Sequence, residues 1–452
     1  MATQGHGGEI QEGPRRETDK QVLVPTPDWR LGTRMAFRFC FVYFGVYILI
    51  TQMLQSLLAI PDLDNAPQLD WLWPLRQIIS WVAVHVFHVH SALVITGSGS
   101  GDKTYDWVEA FCLLVLAVGA TGIWSALDSK RKNYVALHKW FRVFVRFALG
   151  STMFSYGFVK IIPLQMPFPF LTRLLEPFGN FSPMGVLWTS IGASPGYEMF
   201  AGCAEILGGL LVLIPRTTTL GALICLADAT QVLALNMTYD VPVKLFSFHL
   251  VLLALILLAP DARRLANFLL RDEATGPSTQ PPLFRGRRGN RIALAVQILF
   301  TMYLVVMNLY GARLAWKEFG GGAPKSALYG IWDVEQLSID GQIRSPLLTD
   351  YDRWRRVIFD FPTFVTIQRM DESFFGYATE IDVKDGTISL TKGGDKTWKG
   401  KLTFQRPAQD QLILEGVAGE HKIHAQLRLM GRNKFLLLSR GFHWIEEYPF
   451  NR

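Results

Sequence analysis

Seven apolar runs of membrane-spanning length dominate this 452-residue chain and restrict its fold more than any other feature. They cover roughly 36–58, 106–127, 140–162, 196–214, 218–236, 243–260 and 291–312. A helix rises about 1.5 Å per residue, so ~20 residues cross the ~30 Å of hydrocarbon in a bilayer. Backbone groups in hydrocarbon must be satisfied internally, so each run reads as a helix. Half of the residues are hydrophobic and only 18% are charged, as expected of a multi-pass membrane protein. The first run is too long and too far from the start for a simple signal peptide, and no small-residue cleavage site follows it.

Lys and Arg set the expected sidedness. Arg15, Arg16, Lys20, Arg30, Arg34 and Arg38 precede or open the first run. Lys130, Arg131, Lys132, Lys139, Arg142 and Arg146 crowd the second junction, and Arg216 marks the 215–217 turn. The 261–291 loop is Arg-rich, whereas 59–105, 163–195 and 237–243 hold few cations. Seven spans put every basic loop on one face, which predicts a cytoplasmic N-terminus and an extracytoplasmic C-terminal domain. Residues 76–97 would break this pattern as an eighth span and are read as interfacial or re-entrant. The net charge of +7 then reflects basic loops beside anionic lipid, and no nucleic-acid motif is present.

The chain divides into a flexible start (1–35), two spans with a long loop between them (36–138), a four-helix core (139–262), a linker (263–290), a last span (291–312) and a β domain (325–452). In the last, β-branched and aromatic runs at 328–337, 353–360, 363–370, 374–383, 387–392, 397–405, 411–417, 421–429 and 434–440 alternate with turn signals such as Lys384-Asp385-Gly386. That pattern predicts an antiparallel meander or small barrel. Cys40, Cys112, Cys203 and Cys225 all fall in spans without a C-x-x-C, which argues against thiol–disulfide chemistry and for apolar packing.

Charges inside the core are the candidate site. An Asp, Lys or Arg at a helix centre costs roughly 2.5–3.5 kcal/mol, so such residues pair with one another or line a cavity. By helix rise, Lys160, Glu198, Asp240 and Lys244 form a layer near one surface. Tyr156, Glu205, Asp228, Gln231 and His249 form a deeper layer, with Glu205, Asp228 and His249 about 10–13 Å deep. Glu205 and Asp228 are the expected proton-handling groups, with Lys160, Lys244 and His249 orienting an anionic or carbonyl oxygen. Tyr156, Glu198, Gln231, Asn236, Tyr239 and Lys244 are the expected substrate contacts. The competing reading is structural: the lysines reach the interface and Glu205 ties helices together. Gly202, Gly208 and Gly209 allow the close helix approach that either reading needs. His85 and His88 share a helix face but His90 does not, and no carboxylate or cysteine sits at ligand spacing, so no metal site is expected. The tail Arg440–Arg452 mixes charges with aromatics, and Arg440, His443, Trp444 and Arg452 are expected to dock on the 59–105 and 163–195 loops.

Over 139–261 the chain resembles the DoxX family of membrane proteins. The resemblance rests on Tyr156-Gly-Phe-Val-Lys160, Glu205-Ile-Leu-Gly-Gly, the Thr217-Thr-Thr-Leu-Gly-Ala222 turn and Asn236–Lys244, and the tail is similar to that of longer members with a β domain. It implies a bacterial inner-membrane protein with a DoxX-like four-helix core and a quinone- or redox-linked role, a quinone as cofactor and a redox partner protein, within an electron-transfer system. The core also looks distantly like that of vitamin K-dependent carboxylases, without a motif specific to that activity. The alternative is a non-enzymatic binder or transporter of a small amphiphile, with the β domain as a partner-binding module. The expected fold is thus a membrane all-α bundle of about seven helices plus a C-terminal antiparallel β domain, with the bilayer and a small molecule in a membrane cavity as partners.

Overall fold

The computed structural model describes residues 28–60, 68–276, 280–393 and 395–451. Most of the expected flexible start, with Arg15, Arg16 and Lys20, lies outside these residues, as does Arg452. The chain builds a helical part followed by a closed β-barrel. Its helices are α1 (Leu31–Ile50), α2 (Gln52–Leu58), α3 (Leu75–His85), α4 (Thr104–Leu127), α5 (Val135–Ile161), α6 (Pro183–Gly192), α7 (Pro195–Leu213), α8 (Thr218–Thr238), α9 (Lys244–Leu258), α10 (Ala262–Leu270), α11 (Arg287–Glu318) and α12 (Leu436–Ser439).

The apolar runs become α1 with α2, α4, α5, α7, α8, α9 and α11. Among the described residues, α1, α4, α7, α8, α9 continued into α10, and α11 are long and apolar enough to cross a membrane. α5 is as long but carries Lys139, Arg142, Arg146 and Lys160. It is the enclosed centre of the bundle, buried at most positions from Phe141 to Lys160. Residues 76–97 contain only the 11-residue α3, too short to cross. α3 instead lies on α4, burying Ile79 and Ala83 against Tyr105 and Val108.

Small residues set the tightest contact. A Cβ on Gly157 would stand 3.0 Å from the Gly202 carbonyl oxygen, and one on Gly202 only 2.6 Å from that of Gly157. One heptad away, Gly150 and Gly209 meet in the same way. α5 and α7 therefore touch backbone to backbone, as glycines allow in membranes. Gly208 faces the other neighbour, where its Cβ would meet Cys225 Sγ at 3.0 Å. Cys203, by contrast, is exposed on the outer side of α7, so it does not pack as expected.

The loops segregate to two ends. At the basic end Trp29 N–H donates to Lys132, Arg34 donates to Ser129 and Arg131, and Arg142 and Arg264 both pair with Asp261. At the opposite end Asp102 caps α9, and Glu198 accepts from Met166 N–H.

Strands β1 (Gly330–Ile339), β2 (Gln342–Ile343), β3 (Trp354–Phe361), β4 (Phe364–Arg369), β5 (Phe374–Asp382), β6 (Thr387–Lys392), β7 (Asp395–Ala408), β8 (Gln411–Ala418) and β9 (His421–Leu429) pair antiparallel in the order 2-1-3-4-5-6-7-8-9. β1 also pairs β9, which closes an eight-stranded barrel with β2 as a short appendage. Closure removes the edges that an open sheet would expose. Pro407 sits at a bulge in β7, where a missing N–H is tolerated. The interior is filled by side chains such as Trp332, Phe359, Leu412 and Leu414, and the void between them is only about 10 Å³. That is about the space of one water, too little for a small molecule between these side chains.

Two expectations change here. Residues 434–440 form no strand: the chain leaves β9 through a 3-10 turn (Arg432–Lys434) into α12, because the barrel already closes between β1 and β9. Among the described residues, Arg440, His443 and Trp444 make no hydrogen bond, ion pair or ring contact with the long loops, contrary to expectation. Phe442, Trp444, Ile445 and Tyr448 are exposed, and Arg440 pairs with Glu446 and covers the Phe450 ring. The barrel docks on the 163–182 loop by another route. Asp360 accepts from Leu171 N–H at 2.8 Å, Phe170 meets Phe361 edge-on at 5.2 Å, and Leu171, Ile331 and Ile358 are buried together.

Candidate functional site

Lys160 and Glu205 form an ion pair inside the bundle, on neighbouring faces of α5 and α7. Both are buried, and the second Glu205 oxygen has no hydrogen-bond partner among the described residues. Asp228, half-buried on α8, is near enough to feel the charges of both. Tyr156, one turn from Lys160, lies near Glu205 and near Gln52 on α2. These four expected residues do come together.

The others do not join them. His249 lies against α1: its Nε2 is 2.9 Å from the Tyr43 hydroxyl, its Nδ1 is 2.7 Å from the Leu245 carbonyl, and its ring stacks on Tyr47 at 4.0 Å. A carbonyl only accepts, so Nδ1 carries the proton and a neutral ring accepts from Tyr43 at Nε2. Lys244 pairs with Asp240 at 2.9 Å and Asp102 at 3.7 Å, away from Lys160. Glu198 is fully buried and holds the 163–166 turn. Asn236 ties α8 to α9 through Val243 and Ser247. Tyr239 closes α8 through its N–H to Leu235, and Gln231 is exposed. Helix rise gives depth but not direction around the bundle, so residues at one level were grouped although they face different neighbours. Among the described residues no group of three or more His, Cys, Asp or Glu is placed to hold a metal, and His85 turns to the Trp81 carbonyl.

The cavity lies beside the ion pair, on the α1 and α4 side of Tyr156. Its volume is about 360 Å³, and Thr51, Gln52, Lys103, Asp106, Glu109 and Tyr156 supply its polar wall. The Gly97–Gly101 run lies across it, held by Gly101 N–H to the Pro242 carbonyl at 2.8 Å. Thr51 breaks the first apolar run into α1 and α2: its backbone is extended and its hydroxyl donates to the Tyr47 carbonyl at 2.7 Å. Broken helix at membrane depth survives where it lines a polar cavity, and this break does.

Two carboxyls line one side, and a third, Asp70, lies near them. Asp106 accepts from Lys103 N–H at 2.9 Å and pairs with its Nζ at 3.0 Å, which closes the first turn of α4. Glu109, one turn deeper, is 6% exposed and has an oxygen without a hydrogen-bond partner among the described residues. Asp70, outside the spans and 2% exposed, also has a free oxygen, and burial pushes its carboxyl up to about 7. Its backbone carbonyl receives the Tyr105 hydroxyl at 2.5 Å. The sequence reading missed this group. Glu109 stands inside an apolar run, so the rule that singled out Glu205 applied equally to it. Asp70 is brought in by folding of the loop and carried no local signal.

No family model and no solved structure matches the chain. A stretch of 124 residues is 36% identical to the uncharacterized protein YwoB of Bacillus subtilis (strain 168), covering 27% of this chain and 76% of that protein. Through that segment the chain belongs to the family of YwoB, and its remaining length is additional to it.

Proposed function

We propose that this membrane protein binds the head group of a quinone, or of a similar carbonyl- or hydroxyl-bearing amphiphile, in the cavity between Thr51, Glu109 and Tyr156. The observation that carries the reading is Glu109: a carboxyl buried in an apolar helix, one oxygen unpartnered, facing a polar cavity of head-group size. A carboxyl donates one hydrogen bond when protonated and accepts when ionised, so it serves both a quinone carbonyl and a quinol hydroxyl. Tyr156 offers a second hydroxyl from the opposite wall, backed by Lys160, Glu205 and Asp228. Asp106 and Lys103 give a proton a polar way out of the membrane. Electrons would pass to a redox partner protein, which makes this chain an accessory of an electron-transfer system. The DoxX-like segments at 156–160, 205–209 and 236–244 favour the redox-linked reading. The basic loops favour an N-terminus in the cytoplasm with the barrel on the other side, and the DoxX resemblance favours a bacterial inner membrane.

The test is binding of decylubiquinone to the detergent-purified protein, followed by tryptophan fluorescence, since Trp71 lines the cavity. Quenching is expected to saturate in the wild type and to weaken roughly tenfold in Glu109→Gln and Tyr156→Phe, the scale of one hydrogen bond to a charged or buried group. Equal binding by all three proteins would sink the site. A co-purified lipid or solute in place of a quinone would transfer the cavity to the carrier reading.

A further inference from the structure

A wide cavity lies at the basic end, away from the quinone-type site. It measures about 1390 Å³ and opens between α5, α7, α10 and α11. Its polar rim holds Lys139, Arg142, Arg146, Arg216 and Arg264 against a single acid, Asp261. Asp261 is already shared: Arg264 pairs with it at 2.8 Å, Arg142 lies at 3.6 Å, and the Thr219 hydroxyl donates at 3.0 Å. Arg146 is buried and donates to the Val212 and Leu213 carbonyls at the end of α7, without a carboxylate. Among the described residues Lys139 donates only to the carbonyls of Pro282 and Leu283. Arg216 is exposed and has no hydrogen-bond or ion-pair partner among the described residues.

Five cations against one carboxylate leave an excess of positive charge at a wall that is otherwise apolar. Leu210, Leu220, Leu294, Ile298 and Met302 face this space and stay exposed. α11 explains why. It meets the bundle through Leu304 and the Phe147–Phe300 contact, and stands off from α7 below them. Gln297 sits in the gap, 8% exposed, with its side-chain oxygen unpartnered among the described residues. The shape is therefore an apolar slot open to the bilayer with a cationic, hydrogen-bonding mouth at the interface.

We propose that this slot is a binding site for one anionic phospholipid of the adjoining leaflet. The phosphate lies among Arg142, Arg216 and Arg264, and the acyl chains run between α7 and α11. Charge complementarity selects the anionic head group. The slot exceeds the ~300–1,000 Å³ of ordinary small-molecule pockets, which suits a two-chain amphiphile. A solvated free phosphate would leave the apolar wall uncovered, so the occupant is the lipid.

Native mass spectrometry of the full chain in mild detergent, with added phosphatidylglycerol or with phosphatidylcholine of the same chains, tests this. Phosphatidylglycerol adducts are expected to survive delipidation and phosphatidylcholine adducts to be lost. Arg216→Gln should weaken retention about fivefold, since one basic residue near a membrane surface is worth about 1 kcal/mol. Arg216 bonds to nothing else among the described residues, so this variant tests the site without loosening the bundle. Met302→Arg, at the apolar wall, should block retention even with the rim intact. Equal retention of the two lipids, unaltered retention in both variants, or displacement of the lipid by inorganic phosphate alone would overturn the proposal. Decylubiquinone binding is read at the other end of the bundle, so either site can fail without the other.

Discussion

At the scale of residues, the ion pair and the cavity carboxyl have different physical roles. Lys160 and Glu205 compensate each other's burial, and a buried pair is costly to break from one side only. Glu205→Gln is therefore expected to cost about 3–5 kcal/mol, because it leaves a buried ammonium without its partner. Replacing both, as in Lys160→Met with Glu205→Gln, should restore most of that loss. Thermal unfolding in detergent checks it: a double variant no more stable than Glu205→Gln would mean that the pair does not compensate burial. Glu109 has no such partner, so Glu109→Gln should leave the unfolding midpoint nearly unchanged while altering ligand binding. The two glutamates looked alike in the sequence. Each is an acid in an apolar run, and only the neighbouring helices distinguish a paired group from a free one.

At the scale of elements, the apolar runs were legible because hydrocarbon leaves the backbone no other solution than helix. Gly202, Gly208 and Gly209 were also legible as a means of close helix approach, although only the structure shows that Gly202 and Gly209 meet α5 while Gly208 meets α8. What could not be read was the rotation of each helix about its axis. Depth grouped His249 with Glu205, yet α9 turns that histidine to Tyr43 and Tyr47 on α1. The break at Thr51 was equally hidden, since it involves neither proline nor glycine and follows from a hydroxyl bonding back to Tyr47. In the barrel, turn residues with a positive φ such as Gly386 and Gly419 marked the hairpins. The run at 434–440 had strand-like composition but no free edge to join. The glycine seam gives the test at this scale. Gly202→Val puts bulk where a Cβ already comes within 2.6 Å of the Gly157 carbonyl oxygen. It should separate α5 from α7 and cost several kcal/mol, whereas Gly119→Val on α4, with open space around it, should be tolerated. Detergent-resistant folding on size-exclusion chromatography compares them, and equal behaviour would refute the seam.

At the scale of the whole molecule, the barrel and the bundle are joined by a short linker and by one side-on contact. α11 ends at Glu318 and β1 begins at Gly330, and the intervening chain folds back on Trp316, over which Gly322 passes closely. The barrel is thus tethered near the 163–182 loop, the same loop whose Met166 is held by Glu198 of α7. Burial lifts the Asp360 carboxyl above its usual range, opposed by its hydrogen bond from Leu171 N–H. Leu171, Ile331 and Ile358 add an apolar patch worth about 1.5–3 kcal/mol for each side chain buried. Removing both parts of the contact, in Asp360→Ala with Ile358→Ser, should free the barrel without unfolding it, because its interior core lies on the other face of the strands. Trypsin offered from outside to intact spheroplasts then reads two things at once. Cleavage after Lys317 or Lys325 should be slow in the wild type and roughly tenfold faster in the double variant, a change that corresponds to losing about 1.4 kcal/mol of docking. Equal rates would show that the contact does not hold the barrel, and cleavage only after the cells are lysed would place the barrel in the cytoplasm and reverse the proposed orientation.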